Sequence, residues 1–137
     1  MALTHLVDTS VLTRMAIGEV RAVVEPLAEA GSLARAGISD LEIGYSARNG
    51  DEWGRLTEAL GVFALVETEA RHVERARQVQ QLLAVRSQRG RKVPDLLVAA
   101  AAEAEGLVVL HFDADFERIS GVTSQPHQWV VPSGSID

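Results

Sequence analysis

Five carboxylates stand where the chain changes direction. Asp8 follows the apolar run Leu3–Val7, and Asp113 lies just past Leu107–Leu110, with Asp115 one residue further on. Asp95 comes directly after Pro94, and Glu42 lies in the first turn of the helix that follows Leu33–Ile38. Like charges a few ångströms apart raise one another's pKa, so several acids share a small site only around a cation. The chain has no cysteine, and oxygen-only donors select hard ions, Mg²⁺ or Mn²⁺. Such ions acidify a bound water, and pairs of them roughly 3.5–4 Å apart clamp the attacking and leaving oxygens of a phosphodiester. The chemistry indicated is metal-assisted phosphoryl transfer. No rival nucleophile competes, because Ser10 has no recognisable histidine partner and no glycine-rich loop has P-loop spacing.

Each acid also has a plainer reading. Ser39-Asp40-Leu41-Glu42 has the form of a capping box, and Asp95 after Pro94 complements a helix dipole. Asp8-Thr9-Ser10 reads as an N-cap cluster, and Asp113-Ala114-Asp115 as the cap of a final short helix. Singly these suffice. They leave unexplained why four separate elements bring carboxylates to one predicted edge.

That edge comes from the pattern of elements. Short apolar runs at Leu3–Val7, Leu33–Ile38, Gly61–Val66, Leu107–Leu110 and Trp129–Val131 predict strands. Between them Val20, Val23, Val24 and Leu27 predict an amphipathic helix that Pro26 kinks or splits. Ser39–Arg48, Asp51–Leu60 and Glu69–Arg86 predict three more, and Leu96–Ala102 a helix buried on almost every side. Strands alternating with helices predict an α/β fold with a short parallel sheet flanked by helices. Ligands of such sheets gather beyond the carboxyl ends of the strands, where the acids are expected.

With 137 residues, one domain spanning 1–137 is expected, its tail from about 132 to 137 frayed. No apolar run reaches the roughly 18 residues of a membrane span, and no secretory signal is recognisable, so a cytoplasmic protein without membrane contact is expected. Thirteen Lys and Arg against nineteen Asp and Glu leave a net charge of −6, which excludes coating nucleic acid by bulk charge. A local grip remains: Arg86, Arg89, Arg91 and Lys92 crowd ahead of Asp95, and Arg48 ends the helix that carries Glu42. These five are candidate contacts for nucleic-acid phosphates, against solvated-loop and helix-end readings. His5, His72 and His127 lack ligand spacing and read as structural, and Trp129 reads as core.

Four segments in order carry a family resemblance. They are Val7-Asp8-Thr9-Ser10-Val11-Leu12, Ser39-Asp40-Leu41-Glu42-Ile43-Gly44-Tyr45-Ser46-Ala47-Arg48, Pro94-Asp95-Leu96-Leu97-Val98-Ala99-Ala100-Ala101, and Leu110-His111-Phe112-Asp113-Ala114-Asp115-Phe116-Glu117-Arg118-Ile119. Nearly end to end, the chain resembles PIN-domain ribonucleases of the VapC kind, the toxins of VapBC toxin–antitoxin pairs. The resemblance implies a three-layer PIN-like fold and a Mg²⁺- or Mn²⁺-dependent endoribonuclease, the toxin of a type II pair, held silent by a VapB-like antitoxin. It implies that Asp8, Glu42, Asp95 and Asp113 bind metal and carry catalysis, with Asp115 as an auxiliary ligand. One departure stands out. Where such proteins usually carry Thr or Ser two residues before the last motif's Asp, this chain has His111. His111 and Ser10 are accordingly candidates for orienting the reacting water, against a histidine merely packed at a strand end. A catalytically degenerate PIN module and a general RNA-processing nuclease are the alternatives. A receiver-like phosphoacceptor is disfavoured, since it needs a lysine near the last strands and the only lysine, Lys92, precedes a helix. Apolar helical segments between Val11 and Leu60 exceed what one sheet face needs, which with the resemblance predicts a homodimer and an antitoxin groove.

Overall fold

The computed structural model describes residues 2–88 and 92–137. The elements run β1 (His5–Val7), α1 (Thr9–Leu12), α2 (Gly18–Glu29), β2 (Leu33–Ala36), α3 (Gly37–Tyr45) and α4 (Gly50–Ala59). A 3₁₀ turn at Leu60–Val62 leads into β3 (Ala64–Val66). There follow α5 (Ala70–Val85), α6 (Val93–Glu105), β4 (Val108–His111), α7 (Asp115–Thr123) and β5 (His127–Trp129). The five strands form one sheet in the order β3-β2-β1-β4-β5, and every pairing is parallel.

Successive strand residues point to opposite faces, which divides the core in two. Leu6 and Val109 face α5, α6 and α7, where Ala76, Val79, Leu83, Leu96, Val98, Ala102, Phe116 and Ile119 bury against them. Val7 and Leu110 face the other way, onto Val11 of α1 and Val20 and Val24 of α2. A sheet covered on both faces explains why its strands read as continuous apolar runs rather than alternating ones. The helix α6 is buried from Leu96 to Ala102 apart from partly buried Leu97. It stops at Gly106, which adopts φ 68° as the left-handed cap.

Several expectations shift. Pro26 lies inside α2 without splitting it, on the exposed side where its missing N–H costs the core nothing. The helix α3 starts at Gly37, two residues before Ser39, so Ser39 is an interior residue with no exposure and no capping box forms there. The last strand ends at Trp129, which is half-buried rather than core and donates from Nε1 to Glu117 Oε1 at 2.8 Å. The tail is held rather than frayed: Ile136 packs on the α1–α2 side, and Asp137 takes both a 2.9 Å and a 3.2 Å contact from Arg14. Among the described residues no helix is long and apolar enough to cross a membrane.

Candidate metal centre

The chain runs outward from β1 to β2 and β3, then crosses back to place β4 on β1's other side. The strand order reverses between β1 and β4, and a crevice opens at the carboxyl ends there. Val7 pairs with Leu110, and the Asp8 amide donates to Leu110 O at 2.9 Å, so Asp8 and the residues after β4 share that edge. Asp8 caps α1, its Oδ2 accepting from the Ser10 amide at 3.0 Å. The Ser10 hydroxyl in turn accepts from the Phe112 amide at 2.8 Å and ties the two strand ends together.

Asp95 enters from the first turn of α6, buried at 5% exposure. Asp113 follows β4, and its Oδ1 accepts from the Asp115 amide at 2.9 Å, which turns the chain into α7. Asp95, Asp113 and Asp115 each bring an oxygen within 4.8 Å of the others. Asp8 lies beside this trio, near enough that its charge acts on Asp95 and that Asp113 and Glu42 act on it. Glu42 reaches the same edge from α3. The Thr9 hydroxyl lies 2.7 Å from Glu42 Oε1 and 2.9 Å from Ser39 Oγ. Having one proton, that hydroxyl gives it to the carboxylate, which can only accept. Thus Glu42, which the capping-box reading would turn back on its own helix, points to α1 instead.

The electrostatics are those of an overcrowded anionic pocket. Burial, helped by the charges of Asp8 and Asp113, pushes the Asp95 carboxyl up to about 9. Burial also raises Asp8, against the Ser10 hydrogen bonds that favour its charge. Asp113 is pulled down overall: burial opposes its ionisation, but Lys92 and the Asp115 amide outweigh it. Lys92 caps α6 and turns inward, its Nζ 2.5 Å from Asp113 Oδ2, 3.7 Å from Asp95 Oδ2 and 3.9 Å from Asp115 Oδ2. Asp95 Oδ2 still lacks a hydrogen-bond partner among the described residues. An all-oxygen donor set, an orphaned buried carboxylate oxygen and an ammonium lodged among three acids together fit a hard divalent cation.

The other expected residues fall outside this trio. His111 has no exposure, so its ring does not reach the open pocket. Its Nδ1 accepts from the Asp113 amide at 3.1 Å, which puts its proton on Nε2, 2.9 Å from His127 Nδ1. Burial, with the neighbouring His127, lowers His111 to about 4. The imidazole therefore stays neutral and fixes the loop that bears Asp113. Arg48 pairs with Glu52 at 2.7 Å, and Arg86 donates to Gly121 O at 3.2 Å. Arg89 and Arg91 lie outside the described residues. Thr9 and Ser39, which the motifs contain only as capping residues, and His127, which no motif contains, join the site's supports; each acts through a partner at least 16 residues away. Among the described residues one further group of ligand-type side chains, Glu69, His72 and Glu105, lies across the α5–α6 pair. Arg71 already spans its two carboxylates at 2.9 and 3.3 Å, and His72 Nδ1 accepts from the Glu69 amide.

A profile described as PIN domain matches residues 5–122. The chain belongs to the PIN-domain family. Within it the chain is of the VapC type. It is 62% identical over 137 residues to Ribonuclease VapC51 of Mycobacterium tuberculosis, covering both chains completely. It is 42% identical to Ribonuclease VapC21 of the same species, over 98% of this chain and 99% of that one. The fold is shared with VapBC2 from Rickettsia felis, solved bound to a DNA fragment from their promoter (TM-score 0.77, 17% identity, 94% of this chain and 99% of that chain).

Proposed function

We propose that this chain is the toxin of a type II toxin–antitoxin pair, an endoribonuclease that depends on Mg²⁺ or Mn²⁺. The observation that carries the metal-dependent part is the convergence of Asp95, Asp113 and Asp115 within 4.8 Å, beside Asp8, around a single ammonium. Asp8, Asp95 and Asp113, with Glu42, would hold the ion, and Asp115 would assist. When bound, such an ion supplies Lewis acidity to phosphodiester hydrolysis. The protein's share is positional. Ser10 and the β1–β4 register hold Asp8 against the Asp113 loop, His111 anchors the Asp113 amide, and Thr9 aims Glu42. Arg48, Arg86, Arg89, Arg91 and Lys92 remain the candidate contacts for RNA phosphates.

A VapB-like antitoxin is the proposed protein partner, and a homodimer in the cytoplasm is part of the same reading. Leu41, Tyr45 and Trp53, all exposed, line a cavity of about 400 Å³ between α3 and α4, a surface suited to an apolar segment of the antitoxin.

The test is cleavage of a structured RNA with and without EDTA, beside Asp8→Asn and Asp95→Asn. Chelation should abolish cleavage and added Mn²⁺ restore it, with each variant slowed by about a hundredfold or more. Variants that cut as fast as the parent would sink the site assignment. A parent that never cuts at any metal concentration would mark a binding module.

A further inference from the structure

Lys92 is the only lysine of the chain. Its side chain is 60% exposed, yet its Nζ lies within 4 Å of three carboxylates whose own side chains are 7%, 16% and 15% exposed. These three, Asp95, Asp113 and Asp115, are the residues whose oxygens converge within 4.8 Å. An ammonium is a compact charge with three donors on a flexible four-carbon stem. It neutralises part of the cluster, but the fit is incomplete, since it bonds Asp113 at 2.5 Å and stays 3.7 Å from the partnerless Asp95 Oδ2. The oxygens that hold the ammonium are those a divalent cation would need. At such separations two cations repel strongly in a partly buried pocket, so occupancy is exclusive.

We propose that Lys92 is an internal counter-cation: its ammonium fills the carboxylate pocket of the metal-free protein and is displaced when a divalent ion enters. The inference rests on the metal-dependent reading above. It makes Lys92 an intramolecular competitor that sets the apparent metal affinity, in proportion to the fraction of time the pocket is vacated. The displaced ammonium is then free to meet a phosphate, a role it cannot perform while bound to Asp113.

Two measurements on the full chain test this without reading activity. In the first, an amine-reactive ester labels the protein with and without Mg²⁺, and mass spectrometry compares Lys92 with the chain's own α-amine. Lys92 should react several-fold faster once Mg²⁺ is bound, while the α-amine is unchanged. In the second, Mn²⁺ is titrated calorimetrically into the parent and into Lys92→Met, whose folding is checked by circular dichroism. An ammonium that fills the pocket nine-tenths of the time predicts roughly tenfold tighter binding by the variant. If Mn²⁺ binds the parent but Lys92 labelling ignores Mg²⁺, or the variant binds no more tightly, the counter-cation is refuted and the metal centre stands. If neither protein binds Mn²⁺, the metal-dependent reading itself fails.

Discussion

Asp95 concentrates the tension of the site in one residue. An unfolded aspartate titrates near 3.8, whereas burial and its acidic neighbours hold Asp95 protonated up to about 9. Between those values the folded chain binds a proton that the unfolded chain releases. Asp95's contribution to stability is therefore fullest below pH 4 and is lost as the pH climbs toward 9. Asp95→Asn should accordingly raise the melting temperature of the chelated protein, by a few degrees at pH 8 and by less at pH 5. One kcal/mol is worth about 3–5 °C in a chain of this size. Added Mn²⁺ should raise the parent's melting temperature and leave the variant's nearly unchanged. A variant less stable than the parent at pH 8 would show that Asp95 is an ordinary structural carboxylate. That the acids matter is legible from their type and their places at element ends. The inward turn of Lys92 and the pairing of His111 with His127 are not, because each depends on a partner 16 or more residues away.

At the scale of elements, α3 shows how two readings of one segment are decided. Ser39 and Glu42 have the spacing of a cap, but Ala36 ends β2 in extended backbone and the helix begins at Gly37. Once the start moves, Ser39 points into the protein and Glu42 meets Thr9 across 33 residues. Sequence periodicity locates such a helix well and its first turn poorly, since the strand-to-helix turn is shaped by what packs beneath it. The same limit explains the last strand, where sheet pairing with β4 takes His127–Trp129 and leaves Val130 and Val131 to the core. Thr9→Val keeps the shape of the side chain and removes the only donor to Glu42 among the described residues. It should cost about 10–100-fold in cleavage or metal affinity, as loss of a ligand's supporting partner does, with little change in melting temperature. Cleavage at the parental rate would mean that Glu42 needs no orienting.

At the scale of the molecule, the surplus of acid becomes intelligible by position. Five of the nineteen carboxylates, Asp8, Glu42, Asp95, Asp113 and Asp115, gather at one sheet edge, and the net charge of −6 overstates how far the rest of the surface repels RNA. The parallel sheet and its two covered faces are legible in the alternation of short apolar runs and helices. The strand order is not, because it depends on which side of β1 the late strand joins. The groove of Leu41, Tyr45 and Trp53 is a second surface, on the outer side of the helix whose Glu42 faces the pocket. Leu41, 71% exposed, can therefore change without touching the acids. Leu41→Glu should abolish co-purification with a co-expressed antitoxin while RNA cleavage persists. Loss of cleavage with retention of the antitoxin would reverse the assignment of the two surfaces.

The β1–β4 seam has a consequence in time. Ser10 and Phe112, which tie its two strands, are 102 residues apart in the chain. Contacts of such long range close late, after most of the loop entropy of folding has been overcome. During synthesis from the N-terminus, Asp8 waits for β4 to be made before Asp113 exists to complete the edge. A nascent chain that lacks β4 carries Asp8, Glu42 and Asp95 but neither Asp113 nor Asp115. Completion of the acidic edge therefore waits on β4, a delay built into the strand order.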